Sequence, residues 1–363
     1  MRKKVKNCGD KPFEFSVFAR KTVVVFLCLF AALVILAGAL IGAFFALRTA
    51  GKRSFDDRRQ EQINAETQYS PDEEAYDKFS VSYEGKTYRY NQKLTTFIVM
   101  GIDGSKSTDA EDQIEHIGVA GAGQADAIML LVLDEENLTA DIIAVDRNSM
   151  SYFEAYDSDG ASLGALESQL AISYAYGDGA HSSCKMTLNA VSDFMYGIPI
   201  HAYYSMKRQA LRDINDAVGG VTLTIPVDMT RVHKSFVEGA TVTLTGKLAD
   251  KFVGARQGVG DGSNEGRISR QQLYLKAFIS SAIEAVKKDW SLPKELYEKI
   301  ADNSCTDITF DEMVYLADIV TRLDFSFHTI PGKTDTDGRY AEFRPDPEGF
   351  YKLILDIFYI CED

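Results

Sequence analysis

Twenty-six consecutive residues, TVVVFLCLFAALVILAGALIGAFFAL from Thr22 to Leu47, carry no charged side chain. A helix of that length spans the roughly 30 Å hydrocarbon core of a bilayer with some tilt. The run is longer than the apolar core of a secretory leader and no small-residue cleavage signal follows it, so an uncleaved transmembrane helix is expected. Seven Lys and Arg residues precede it, and Arg48, Lys52, Arg53, Arg58 and Arg59 follow. The positive-inside bias leans toward a cytoplasmic N-terminus. The chain therefore divides into a cytoplasmic tail (1–21), a transmembrane helix (22–47), a polar juxtamembrane stalk (48–78) and an extracytoplasmic domain (79–363) in which no further boundary shows. The Arg48 to Arg59 cluster is expected against lipid headgroups.

Residues 60–363 hold 27 basic and 49 acidic side chains, a net of −22. Such a domain repels nucleic acid and anionic membrane surfaces, so an anionic substrate has to be captured by a local cationic cluster. Metal-finger chemistry is excluded too: Cys184, Cys305 and Cys361 are scattered with no CxxC, and the five histidines are equally dispersed.

The domain opens with an alternating segment, Phe79 to Tyr90, that reads as a β-hairpin around Glu84-Gly85. Continuous apolar runs ending at Asp103, from Ala127 to Asp134 and from Leu138 to Val145 predict buried central strands. Helical patterns follow at Ala165 to Tyr176 and Ser183 to Tyr196, then a strand His201 to Ser205 and a helix Lys207 to Val218. Further helices are expected near Lys294 to Ala301, Phe310 to Leu323 and Pro347 to Tyr359, with a strand Phe325 to Ile330. This alternation predicts an α/β fold, a mixed central β-sheet with helices on both faces.

The cationic cluster sits in GARQGVGDGSNEGRISRQQ, Gly254 to Gln272. If a helix begins near Arg267, then Arg267, Arg270 and Gln271 share one face of its first turn. Cations there oppose the positive end of the helix dipole, a penalty that a bound phosphate reverses. Beyond this turn, Ile268, Leu275, Ile279, Ile283 and Val286 form a helical stripe expected to bury against the sheet. Asp103 and Asp126 flank predicted strands. If those strands are antiparallel neighbours, both carboxylates meet at one sheet edge, where two carboxylates plus phosphate and water suit Mg²⁺. Arg147, past the next strand, falls on the same side; a simple salt bridge is the other reading for it, as turn-forming is for the aspartates.

The ordered motifs FIVMGID, GQADAIMLLVLD, IIAVDRNS, YAYGDG, DAVGGVTLTIP, LTGKLADKFVGAR and EGRISRQQ, spread over residues 95–331, resemble the LytR-CpsA-Psr family. The resemblance implies a bacterial cell-membrane enzyme with an extracytoplasmic domain. It would move a glycopolymer, of the wall teichoic acid or capsular polysaccharide type, from a polyprenyl-pyrophosphate carrier to peptidoglycan. It further implies Asp103 and Asp126 as metal-site positions for Mg²⁺, and Arg147, Arg256, Arg267 and Gln271, with Arg270 beside them, as pyrophosphate ligands. Asp126 and Arg147 would take the catalytic roles.

This chain departs from the family pattern at four points. Gln124-Ala125-Asp126 stands for Arg-Ser-Asp, Asp146-Arg147-Asn148 for Pro-Arg-Asp, Gly254 for the first arginine of an Arg-x-Arg pair, and Asn264 for an acidic residue. Lys106 or Lys251 is the candidate to compensate for the lost cations. Two functions stay open on sequence grounds: a working phosphotransferase, and a polyprenyl-phosphate-binding scaffold for envelope assembly without turnover.

Overall fold

The apolar runs pair into one six-stranded sheet in the computed structural model, which describes residues 42–63, 79–103, 123–157, 161–255, 258–260, 262–289, 291–336 and 340–362. A helix over residues 42–63 (α1) leads. The hairpin β1 (Ser80–Tyr83) and β2 (Lys86–Tyr90) follows, with Glu84 and Gly85 at φ 49° and 80°, the left-handed pair that a two-residue turn requires. Next come β3 (Thr95–Asp103), β4 (Gln124–Asp134) and β5 (Thr139–Val145), β4 pairing antiparallel with both β3 and β5. A second hairpin, β6 (Met150–Tyr156) and β7 (Ser162–Gln169), runs into α2 (Leu170–Ser173) and α3 (His181–Phe194).

Strand β8 (Ala202–Lys207) returns parallel to β3 and leads into α4 (Arg208–Ala217), the hairpin β9 (Val221–Thr224) and β10 (Thr241–Leu244), α5 (Gly246–Gly254) and the long α6 (Asn264–Lys288). The chain ends with α7 (Leu292–Ile300), β11 (Ser304–Thr306), α8 (Phe310–Val320), β12 (Asp324–Thr329), the hairpin β13 (Gly332–Asp335) and β14 (Glu342–Pro345), α9 (Pro347–Phe358) and β15 (Tyr359–Cys361), which pairs with β2. The sheet order is β11-β8-β3-β4-β5-β12, mixed because β8 and β12 run parallel to their inner neighbours.

Alternation along β3 and β4 assigns the two faces. Ile98, Met100 and Ile102 with Ile128, Leu130 and Val132 pack into a core with α2, α3 and α9. Phe97 and Leu133 face the other side, where Tyr315, Leu316 and Ile319 of α8 and Phe55 of α1 complete a second cluster. Farther along that same face a third cluster joins β9, β10, α5 and α6 through Leu223, Phe236, Phe252 and Tyr274. The three described cysteines are free, Cys184 buried and Cys361 exposed.

Three expectations are corrected. First, Ala165 to Gln169 is strand, because Met150 to Tyr156 supplies a pairing partner in full register; helix is confined to Leu170–Ser173 and a 3₁₀ turn Tyr174–Tyr176. Second, α6 does not lie flat on the sheet. Its fully buried side chains are Asn264, Arg267, Arg270 and Tyr274, while the stripe from Ile268 to Val286 is only half-buried. The helix stands off from the strands, leaving a cavity between them.

Third, residues 48–63 are no free stalk. Phe55 is 0% exposed against Tyr315, Gly51 sits against the backbone of Asp311, and Arg48, Lys52 and Arg58 face carboxylates of the domain. Arg48 Nε donates to Asp318 Oδ2 at 2.6 Å, Lys52 pairs with Glu135, and Arg58 Nε donates to the fully buried Glu312 at 2.8 Å. Arg59 pairs with Asp56 and donates to Thr95 Oγ1 at 2.6 Å. Burial pushes the Glu135 carboxyl up, but the bond and charge of Lys52, the Tyr315 hydroxyl and the Arg48 charge together outweigh that and hold it below the usual range. Ion pairs within the protein take these cations, in place of lipid headgroups. Residues 22–41 of the charge-free run and 64–78 lie outside the described residues; among the described residues no helix is long and apolar enough to cross a membrane.

Candidate functional site

Parallel strands β3 and β8 end at the same edge of the sheet, with Ile102 opposite Lys207, and α4, which follows β8, borders a crevice there. Such an edge, outside the carboxyl ends of parallel strands, is where open α/β sheets place ligands. One irregularity shapes the crevice further. The β3–β4 register slips between Gly101, opposite Ala127, and Ile102, opposite Ala125, so Asp126 is the extra residue of a bulge. In a regular strand Asp126 and Ala127 point to opposite faces. The bulge reverses the parity: Ala125 turns into the core, and Asp126 joins Ala127 and Met129 on the cavity wall.

The cavity holds about 950 Å³ of empty space, part of it open to solvent. Its wall is apolar along Val99, Ala127, Met129, Leu211 and Leu275, and its mouth carries Asp103, Asp126, Arg267 and Gln271. Both aspartates thus meet at one edge, as antiparallel pairing required. Arg147, just beyond β5, forms an ion pair with Asp126, so the salt-bridge reading of that arginine describes this state. Its buried Nε has no hydrogen-bond partner among the described residues.

Helix α6 begins at Asn264, three residues before Arg267, because Ser263 Oγ caps it by accepting from Gly266 N at 3.0 Å. Arg267 is buried and its guanidinium donates to Asn264 Oδ1 at 2.6 Å and to the Asp126 carbonyl at 3.2 Å. An amide therefore occupies the place of the family's carboxylate without neutralising Arg267. Gln271 Nε2 donates to the Val253 carbonyl at 3.4 Å. Tyr274, one turn deeper, donates to Asn215 Oδ1 at 2.9 Å; burial, with the Asp216 charge, pushes its phenol well above the ordinary value and keeps it a neutral donor.

Arg270 is not part of this wall. It is buried and donates to the Ala255 carbonyl, which ties the loop after α5 to α6. Arg256 and Lys106 lie outside the described residues, and Lys251 is exposed and does not line the cavity. Asn148 is buried behind Arg147, its backbone N–H donating to Asp146 Oδ1 at 2.8 Å. Sequence reasoning missed Lys207, Arg208 and Asp250, all on the cavity wall. The signal was there: Lys207 and Arg208 head α4 against its dipole, the same anomaly as Arg267 on α6.

Two carboxylates at the mouth, one engaged by Arg147 through a single oxygen, are a hard-oxygen donor set that suits Mg²⁺ completed by phosphate and water. Among the described residues no cluster of three or more His, Cys, Asp or Glu side chains forms a protein cage for a metal.

The LytR_cpsA_psr family profile matches residues 55–348 of the chain. The chain belongs to the LytR-CpsA-Psr family. Within that family it is 24% identical over 226 residues to the polyisoprenyl-teichoic acid–peptidoglycan teichoic acid transferase TagU of Bacillus subtilis strain 168, covering 58% of this chain and 67% of that one. Against TagV of the same strain the identity is 26% over 206 residues, 54% of this chain and 48% of TagV. The matches thus span about half to two thirds of these relatives. Among solved structures, a Streptococcus agalactiae protein superposes with TM-score 0.58 at 18% identity, covering 73% of this chain and 86% of that one. TagT bound to LIIa-WTA superposes with TM-score 0.54 at 17% identity, covering 73% and 89%. These structures share the fold of this LytR-CpsA-Psr protein: a mixed sheet flanked by helices.

Proposed function

We propose that this LytR-CpsA-Psr protein is an envelope phosphotransferase, held in a bacterial cell membrane by residues 22–47. It moves a glycopolymer from a polyprenyl-pyrophosphate carrier to a peptidoglycan hydroxyl with Mg²⁺. The observation that carries this reading is one cavity with two chemistries: an apolar wall from Val99 to Leu275 that suits an isoprenoid tail, and a mouth where Arg267, Gln271, Asp103 and Asp126 suit a metal-bound pyrophosphate. Relatives named as polyisoprenyl-teichoic acid–peptidoglycan teichoic acid transferases favour a teichoic acid type of polymer.

In this mechanism the acceptor hydroxyl oxygen forms a bond to the phosphorus that carries the glycan, the anhydride P–O bond breaks, and polyprenyl phosphate leaves. Asp103 and Asp126 would hold Mg²⁺, which would supply charge neutralisation on the phosphates. Arg267, fixed by Asn264, presents its guanidinium to the leaving phosphate without reorganising. Arg147 exchanges Asp126 for a phosphate oxygen, and the released carboxylate orients the acceptor hydroxyl and takes its proton.

The scaffold reading draws on that closed Arg147–Asp126 pair and on Gly254, which offers the mouth no side chain. Turnover of a polyprenyl-pyrophosphate glycan by the full chain in detergent, with and without Mg²⁺, separates the two. Metal-dependent transfer that disappears in Arg147→Ala and Arg267→Ala supports the transferase. Lipid binding without transfer refutes it in favour of the scaffold, and unchanged transfer in both variants refutes the site.

A further inference from the structure

The cavity is lined by an arginine that lies outside the motif positions named above. Arg208 is the first residue of α4 and lines the cavity beside Gly254, the last residue of α5. A Cβ built on Gly254 would lie 3.1 Å from Arg208 Nη2, and among the described residues beyond its own helix Arg208 alone comes within 4 Å of it. The guanidinium of Arg208 therefore occupies the space that a side chain at position 254 would use. Its Nε donates to Asp250 Oδ1 at 2.6 Å, which fixes the plane of the fork, and the Arg208 side chain is still 51% exposed. Asp250, almost fully buried, is also held by Arg212 Nε at 2.9 Å, so this triad of two guanidiniums and one carboxylate keeps a net positive charge.

We propose that Arg208 is a pyrophosphate ligand of this protein, reaching from α4 across Gly254 to supply the cation that α5 itself lacks, with Asp250 as its positioning residue. The proposal rests on the transferase reading of the cavity. Three features of the site lead to it. Arg208 heads a helix where a cation is unfavourable unless an anion is near. It stands next to the parallel strand end that carries Asp103, since Lys207 pairs with Ile102. And Gly254 leaves room for it: a Cβ there would press on the fork at 3.1 Å.

The test is titration calorimetry of the full chain in detergent with geranylgeranyl pyrophosphate and Mg²⁺, alongside thermal melts. Arg208→Ala should weaken binding about tenfold, the lower range for one charge-assisted contact from a half-exposed side chain. Arg212→Ala also leaves Asp250 with one arginine but removes nothing from the cavity wall, and should bind within about twofold of wild type. Gly254→Arg in the Arg208→Ala background returns a cation from the opposite element and should recover most of the loss. Equal weakening by Arg208→Ala and Arg212→Ala would overturn the proposal, because both would then act through Asp250. So would unchanged binding in Arg208→Ala, or no recovery by Gly254→Arg in a variant that melts like wild type. A wild type that does not bind the probe overturns the transferase reading together with this inference, whereas binding indifferent to Arg208 overturns this inference alone.

Discussion

Replacing Arg58 with leucine tests whether the segment that follows the charge-free run belongs to the folded domain. Arg58 Nε and Nη2 donate to the two oxygens of Glu312 at 2.8 and 3.1 Å, and its other bonds go to Asp307 Oδ2 at 2.8 Å, the Asp307 carbonyl at 2.6 Å and the His201 carbonyl at 3.1 Å. Glu312 is 0% exposed and keeps only Ser54 Oγ at 2.6 Å and Thr309 N at 2.8 Å once Arg58 is gone. Breaking a buried pair costs about 3–5 kcal/mol because one charge stays desolvated. Arg58 is partly exposed and two neutral donors remain, so about 3 kcal/mol is expected. For a domain of this size that lowers the melting temperature by about 6–12 °C, measurable by circular dichroism of the detergent-solubilised chain. Replacing Glu312 with leucine as well removes the stranded charge and should recover most of the loss. An unchanged melt in Arg58→Leu, or a double variant less stable than the single, would refute the docking of α1 through this pair.

Three further predictions concern other parts of the structure. Gly51→Ala places a Cβ against the Asp311 backbone, so α1 must lift from α8; a loss of about 1–3 kcal/mol in urea unfolding is expected, and an unchanged midpoint would contradict the contact. Burial, and then the charges of Arg59 and Arg58, pull the His201 imidazole down from 6.5 to about 3, where its neutral Nδ1 accepts from Thr96 N at 3.0 Å. The unfolded chain takes up that proton first. This contribution is therefore intact above about pH 6.5 and falls by about 1.4 kcal/mol per pH unit below it until pH 3, a slope that His201→Gln should remove from the melting profile. Asp126→Asn should abolish transfer while shifting the melting temperature little, since its pair with Arg147 is partly exposed; retained transfer would rule out a role for that carboxylate.

Much of the fold was legible before any coordinates. Strands and helices with strong period or uniform apolarity, such as Thr95 to Asp103 and Phe310 to Val320, appear where local patterning places them. The failures share a cause. Ala165 to Gln169 has a helical pattern locally and becomes strand because β6 offers a partner. The stripe of α6 satisfies helical amphipathicity, yet the helix leans on Asn264, Arg267 and Arg270 and leaves Leu275 to a cavity. Arg270 shares a helical face with Arg267 in one dimension but spends its guanidinium on the Ala255 carbonyl in three.

Composition and order along the chain determined by themselves the apolar N-terminal run, the acidic domain, the family, and the choice of Asp103, Asp126, Arg147, Arg267 and Gln271 as chemistry-bearing residues. Those are properties of side-chain type and spacing, which survive without knowledge of neighbours. Tertiary structure alone decided that a bulge turns Asp126 onto the cavity wall, that the basic segment after the charge-free run pairs with Asp318, Glu135 and Glu312, and that Arg208 lies over Gly254. Each of these depends on residues dozens to hundreds of positions apart meeting within a few ångströms. The energy of a charge is set by what surrounds it in space, and no local pattern carries that information.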